Sequence, residues 1–316
     1  LDVQTEVISS DQVIALWPLG LSQPTRSWLN ENVQNGDFYD PTVVFRAAPD
    51  APPTLAMSME FRDANVLIIP TLPPIEDASG TLLIIDRRIA VTLDSGHMTA
   101  PIGGQIEMAG SSIVIPRTGI PNIPARFELS MQGRLTAAMA ILNLEPFNIL
   151  RNFDLPVSFA QGRANIQAVI ETPLGEGVKP DQRMWSANAE VRNVRSDLLI
   201  SNHTITASIL HVAVDADSLV VRGPVQLGDV GGVATFSRAI GEGAEGTARV
   251  EASISIGSAS LDALNINLPP GMVTGQAAVQ IAIDLSNPNV PEFRLTSDLR
   301  GAGLSLPGLG WSKAQD

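Results

Sequence analysis

Hydrophobic and polar residues alternate along most of this chain with a period of two. Met57, Met59 and Phe61 alternate with Ser58, Glu60 and Arg62, and Phe127, Leu129 and Met131 with Arg126, Glu128 and Ser130. Ala187, Ala189 and Val191 alternate with Ser186, Asn188, Glu190 and Arg192. Later, Val250, Ala252, Ile254 and Ile256 alternate with Arg249, Glu251, Ser253 and Ser255, and Val279, Ile281, Ile283 and Leu285 with Gln280, Asp284 and Ser286. Successive side chains of a strand point to opposite faces, so each of these runs predicts a strand with one apolar and one wet face. Antiparallel sheets accommodate that asymmetry, whereas parallel sheets are usually buried on both faces. Turn signals at Asp94-Ser95-Gly96, Gly103-Gly104, Gly231-Gly232 and Leu268-Pro269-Pro270-Gly271 separate the runs, and proline concentrates between them. The spacing predicts roughly 18 to 20 short strands, as in a sandwich, barrel, solenoid or long curved sheet.

Helical signal is sparse. Pro24 to Asn35 predicts one helix, with Ser22 as its cap, Gly36 at the left-handed position after its end, and Trp28, Leu29 and Val33 as its buried stripe. A second short helix is predicted over Glu145 to Asn152, with Phe147 and Leu150 inward. The apolar run Leu135 to Leu144 contains Thr136 and Asn143 and is too short to span a bilayer. Two helices cannot supply a βαβ architecture.

A weak internal repeat aligns Leu155–Glu171 with Leu268–Asp284 without gaps. Its unit is a proline-bounded entry, a glycine (Gly162 and Gly275) and an alternating strand. Any two amphipathic strands after a turn share part of this pattern.

Composition narrows the function classes. The chain has 316 residues, 44% hydrophobic but only 4% aromatic, which is ample for a buried core yet poor in large rigid anchors. A net charge of −13 argues against a nucleic-acid partner, because phosphate binding needs clustered Lys and Arg, and it repels anionic headgroups. The absence of cysteine removes disulfides, thiolate metal sites and thiol nucleophiles.

Chemistry-bearing motifs are weak. His203 and His211 are eight residues apart, too far along a strand to ligate one ion, and His97 stands alone. Asp215-Ala216-Asp217 resembles part of a calcium loop but lacks the later ligands, so a solvated turn explains it. Gly241-Glu242-Gly243-Ala244-Glu245-Gly246 matches GxGxxG in form, but a strand follows it where a helix is needed, and its glutamates repel phosphate. No nucleophile elbow occurs and no carboxylate pair stands out, so the sequence offers no positive evidence for catalysis, cofactor or metal. Leu16-Trp17-Pro18-Leu19 and Trp28-Leu29 form either a local core beneath a helix or a wedge at a groove.

These last residues carry a family resemblance. Leu16-Trp17-Pro18-Leu19, Pro24-Thr25-Arg26-Ser27-Trp28-Leu29, Asn32 and Asn35-Gly36 resemble the W-P-x-x-x-x-P-x-T-R-x-W-L…N…G segment of AsmA-like proteins of the YhdP type, related to TamB. Phe61-Arg62-Asp63-Ala64-Asn65-Val66, Pro70, Pro73, Pro74, Asp77-Ala78-Ser79-Gly80 and Leu304–Lys313 fit the same pattern. Gln23 stands where a basic residue is common, and Asn35-Gly36 replaces a Gly-Gly pair. The family's N-terminal membrane helix is absent from the sequence, so the resemblance implies an internal segment of a longer periplasmic protein, anchored to the inner membrane through a helix outside this piece.

The resemblance implies a mostly β fold: a long curved antiparallel sheet forming an elongated groove, with one or two short helices. One such segment would cover residues 1–316, with sub-units at 1–140 and 155–316. It also implies a lipid-transfer conduit between the inner and outer membranes of Gram-negative bacteria, with phospholipids as cargo. The alternative is a non-enzymatic scaffold in outer-membrane protein biogenesis. The apolar sets proposed to line the groove are Met57, Met59, Phe61, Ile89, Val91, Leu93, Phe127, Leu129, Met131, Ile166, Ile170, Val250, Ile254, Ile256, Val279, Ile281 and Ile283. Burying an acyl chain gains about 0.8 kcal/mol per CH₂, so a chain of about 16 carbons gains roughly 12 kcal/mol. Many interchangeable aliphatics give a flat path, whereas a few aromatic anchors would trap the lipid.

Overall fold

The computed structural model describes residues 2–3, 7–15, 23–48, 51–118, 120, 123–145, 147, 150, 155–174, 182–200, 203–240, 247–263, 268–269, 271–286 and 292–315. The chain is mostly β, with antiparallel strands, and divides into two compact units. The first comprises Leu1–Ser158 and Ala164–Ala187, the second Phe159–Arg163 and Asn188–Asp316. The division therefore falls within strands and not in the 140–155 segment.

The first unit opens with β1 (Asp2–Val3), β2 (Val7–Ser9), α1 (Ser10–Ala15) and α2 (Gln23–Asn32). The long strands β3 (Val33–Ala48), β4 (Ala51–Val66), β5 (Ile75–Ile85) and β6 (Arg88–Ala100) follow. Then come β7 (Gly104–Glu107), β8 (Ser112–Ile115), β9 (Pro124–Arg134) and α3 (Leu135–Leu142). Each of β3 to β6 pairs with the next, β7 and β8 pair along β6, and β9 pairs with both.

Directly opposed residues share a face, so the registers assemble continuous rows. One runs Val43–Met57–Ile84–Ile89–Ile115, the next Met59–Leu82–Val91–Ile113–Phe127. These rows form a core covered by α3, whose Ala137, Ala138, Ala140 and Ile141 are all buried. The helix fits because Gly103, at φ +101°, lies against Ala137, where a Cβ would be 2.8 Å from the Ala137 Cα. This apolar run is too short for a membrane but suits a core helix.

Bulges crease the sheet. Asp63 and Asp77 adopt left-handed φ values of 53° and 50°, and Gly36 and Gly96 sit beside them at φ +146° and +144°. An extra residue at each point shifts the inward parity between Phe61 and Ala64 and between Ile75 and Ala78, and both alanines are buried. The Asn65 N–H donates to Asn35 Oδ1 at 3.0 Å and the Asp77 N–H to Asn65 Oδ1 at 3.2 Å, a side-chain ladder over β3, β4 and β5.

Several local expectations are corrected. Val33 begins β3 and does not end the helix, and Gly36 is a bulge residue inside that strand. Trp28 is exposed, while Leu29 packs against the core. Asp94-Ser95-Gly96 lies within β6 because the bulge takes up its turn propensity. Around Glu145–Asn152 the described residues form turns, with Leu150 buried but Phe147 exposed. Three α-helices among the described residues went unpredicted: α1, α3 and a short one at Ser258–Ala263. The first is closed by a capping box, in which the Ser9 N–H donates to Gln12 Oε1 and the Gln12 N–H to Ser9 Oγ. Leu16–Leu19 and Gly241–Gly246 lie outside the described residues.

The chain leaves the first unit through β10 (Gln161–Pro173) and β11 (Met184–Ile200). The second unit then meanders through β12 (His203–Asp215), β13 (Ser218–Leu227), β14 (Val230–Ala239) and β15 (Ala248–Gly257). After α4 (Ser258–Ala263) come β16 (Val273–Asp284), β17 (Glu292–Thr296), β18 (Ala302–Leu306) and β19 (Trp311–Lys313). Consecutive strands pair from β12 to β17, and β18 joins β16 beyond the end of β17. Gly231-Gly232 is strand and not turn, since the reversal occurs at Gly228-Asp229. Pro224 lies inside β13, where the β12–β13 register breaks and no ladder donor is required. The aligned glycines of the sequence repeat behave alike: Gly162 and Gly275 both have positive φ, and Ala164 and Ala277 two residues on are both buried.

Candidate functional site

In the second unit the strand registers build an apolar face from residues far apart in sequence. Its longest row is Val212–Val221–Phe236–Val250–Ile283–Phe293, crossing six strands. Beside it run Ala234–Ala252–Ile281–Leu295 and Val225–Gly232–Ile254–Val279. Ile254 leans over Gly232, where a Cβ would lie 2.5 Å from its Cγ2, while Ala234 and Ala252 are the small residues of the adjacent row. Six strands about 4.8 Å apart span about 24 Å, more than the roughly 15 Å of hydrocarbon in one leaflet.

Exposure distinguishes this face from the core of the first unit. Val212, Val221, Phe236, Val250, Ile254, Ile256, Ile281 and Ile283 are all only partly buried, and Phe293 and Leu295 are exposed. Val279 and Ala277 are buried near α4, the short helix packed on β15 and β16.

The opposite face is polar. Arg222, Thr235, Glu251, Ala282 and Arg294 form one of its rows, and Arg249 pairs with Glu251 at 3.5 Å. The Asp284 carboxyl is held below its ordinary value by hydrogen bonds from the Ser286 hydroxyl and then its backbone N–H. Glu190 is lowered chiefly by its hydrogen bond from Arg192, at 2.9 Å. Asp215 is lowered by the N–H groups of Asp217 and then Ser218, at 3.0 and 2.8 Å, so its carboxylate closes the β12–β13 turn.

The sequence-predicted lining residues separate into two groups. Met57, Met59, Phe61 and Ile89 are buried in the first unit's core, and Val91, Leu93, Leu129, Met131 and Ile166 pack against it. Phe127 is partly buried on that face, and Ile170 is partly buried on β10. Val250, Ile254, Ile256, Ile281 and Ile283 lie on the open face of the second unit, with Val279 at its covered end. Sequence reasoning missed Val212, Val221, Phe236, Phe293 and Leu295. Val212 and Val214 do alternate with His211, Ala213 and Asp215, but β13 mixes a Leu-Val-Val run with Pro224 and hides its period.

Among the described residues no group of three His, Cys, Asp or Glu side chains is placed to hold a metal ion. His97 is hydrogen-bonded to Gln105 at 2.8 Å and lies 3.6 Å from Glu76, and His211 is opposite Arg222. Among the described residues no helix is long and apolar enough to cross a membrane. Comparison with protein-family models, curated proteins and solved structures finds no match.

Proposed function

We propose that the chain is a segment of a lipid-transfer conduit, with the partly exposed apolar face of β12–β17 carrying phospholipid acyl chains. The observation behind this reading is the set of apolar rows left partly exposed across six strands. A water-exposed aliphatic face of that extent costs free energy unless something apolar covers it. An acyl chain fits because the rows offer many weak, interchangeable contacts and few aromatic traps. The resemblance to AsmA-like, YhdP-type proteins supports the same reading and the expectation of a periplasmic location between the two membranes. The role is non-catalytic, with no cofactor and no nucleic acid. Organic extraction of the purified chain followed by mass spectrometry should yield phospholipid, and a protein free of lipid that does not take up fluorescent phospholipid would refute the proposal.

The second reading is an assembly scaffold for outer-membrane proteins. It is favoured by β17, whose five residues are all exposed and whose pairing among the described residues is with β16. A free strand edge offers backbone donors and acceptors to an incoming strand. Photo-crosslinking from Arg294 distinguishes the readings by capturing a polypeptide and not lipid.

A further inference from the structure

One end of the first unit has a different surface from the middle of the same strands. Midway along the strands its outer face is polar, as in the row Glu60–Thr81–Thr92–Ser112–Glu128. Toward the β3–β4 and β5–β6 turns that same face becomes apolar. Ser58 is followed across the sheet by Leu83, Ala90 and Val114, and the last row runs Asp2–Val44–Ala56–Ile85–Arg88. On this face Val44 is 38% exposed, Leu83 39% and Ile85 48%; Phe45, opposite Leu55 and so on the other face of the same strand end, is 49% exposed.

The described strand ends are adjacent in space. The Asp86 N–H donates to the Leu55 carbonyl at 2.6 Å and the Thr118 N–H to the Arg87 carbonyl at 2.7 Å, which joins the end of β4, the β5–β6 turn and the segment after β8. This brings the exposed Arg46, Arg87, Arg88 and Arg117 to one end. Among the described side chains the acid there is Asp86, whose Oδ1 accepts the Leu55 N–H. In a chain of net charge −13, four arginines against that one aspartate among the described side chains is a local reversal of sign.

We propose that this end of the first unit docks on an anionic lipid bilayer surface. Exposed aliphatics and an aromatic enter the boundary between headgroups and acyl chains, while the surrounding arginines meet phosphate. The charge complementarity selects a phospholipid surface over a neutral apolar partner. The remaining acidic surface is repelled by the same headgroups, so contact is confined to this end. The inference does not depend on the second unit's apolar face carrying lipid.

The cysteine-free chain permits a direct test. Ile85→Cys carries an environment-sensitive fluorophore at the proposed contact, and Thr92→Cys carries it on the polar middle of the same face. Vesicles of phosphatidylcholine with phosphatidylglycerol should blue-shift the label at position 85 and leave that at 92 unchanged. Flotation of the full chain should be salt-sensitive, and at about fivefold per arginine, Arg87→Ser with Arg88→Ser lowers binding roughly 30-fold. Phe45→Ser should weaken binding without changing the melting temperature. The proposal is overturned if anionic vesicles leave the 85 label unshifted, if pure phosphatidylcholine shifts it equally, or if the arginine variant binds as the parent does. Lipid extraction from the second unit, measured separately, is expected to survive in all these variants.

Discussion

Gly36 and Ala64 meet across β3 and β4 so closely that a Cβ on Gly36 would lie 3.0 Å from the Ala64 Cβ. Gly36 also holds a φ of +146°, which side-chain-bearing residues rarely adopt. Gly36→Ala should therefore destabilise the chain by about 1–3 kcal/mol, from backbone strain together with the close approach. Urea denaturation measures this, with Gly308→Ala as a control, since a Cβ there meets nothing within 4 Å. Equal stability of the two variants would contradict the bulge geometry.

The two apolar faces should respond differently to truncation. Met59 is 3% exposed inside the core, so Met59→Ala should cost about 2–5 kcal/mol. Ile281 is only partly buried on the open face, and Ile281→Ala should cost about 1 kcal/mol, in proportion to the smaller area it removes from water. Comparable losses in urea midpoint would mean that the second face is covered in solution.

Crowding the partly exposed face should displace cargo. Ala252 lies between Ala234 and Ile281 on that face, so Ala252→Phe places a bulky ring across it. The variant is expected to fold, as shown by circular dichroism, and to lose most of its co-purifying phospholipid. An unchanged lipid-to-protein ratio by mass spectrometry would count against this face as the lipid path.

Acid should loosen the second unit through Asp215 and Asp284. Both carboxyls are held below their ordinary value of 3.8 by hydrogen bonds to the ionised form. Such a group stabilises the fold fully above its unfolded pKa, and the contribution is lost as pH falls through the lower folded value. Stability should therefore decline below pH 3.8, and Asp215→Asn should shrink the urea-midpoint difference between neutral and acid pH. The effect is small because both groups are exposed.

The residues behind the family resemblance acquire a physical meaning from the fold. Asp63-Ala64 and Asp77-Ala78 are bulges that keep small residues facing inward, and Gly80 lies under the Phe61 ring, where a Cβ would be 2.9 Å from its Cζ. Arg26 donates from Nε to the Ile14 carbonyl at 3.1 Å, tying α2 to the end of α1. None of this is visible from alternation, because a bulge is defined by the partner strand it slips against.

Period-two alternation was enough to establish an antiparallel, mostly β chain, because the pleat imposes that period locally on every strand. It also singled out residues most of which lie on apolar faces. Which apolar face is sealed and which is open was decided only in three dimensions. Met57 and Ile254 stand in equally convincing alternating runs, yet α3 helps close the core around one while the other stays partly exposed. Burial depends on which element crosses over a face, and that is a property of chain reversals and partner strands, not of a strand's own residues.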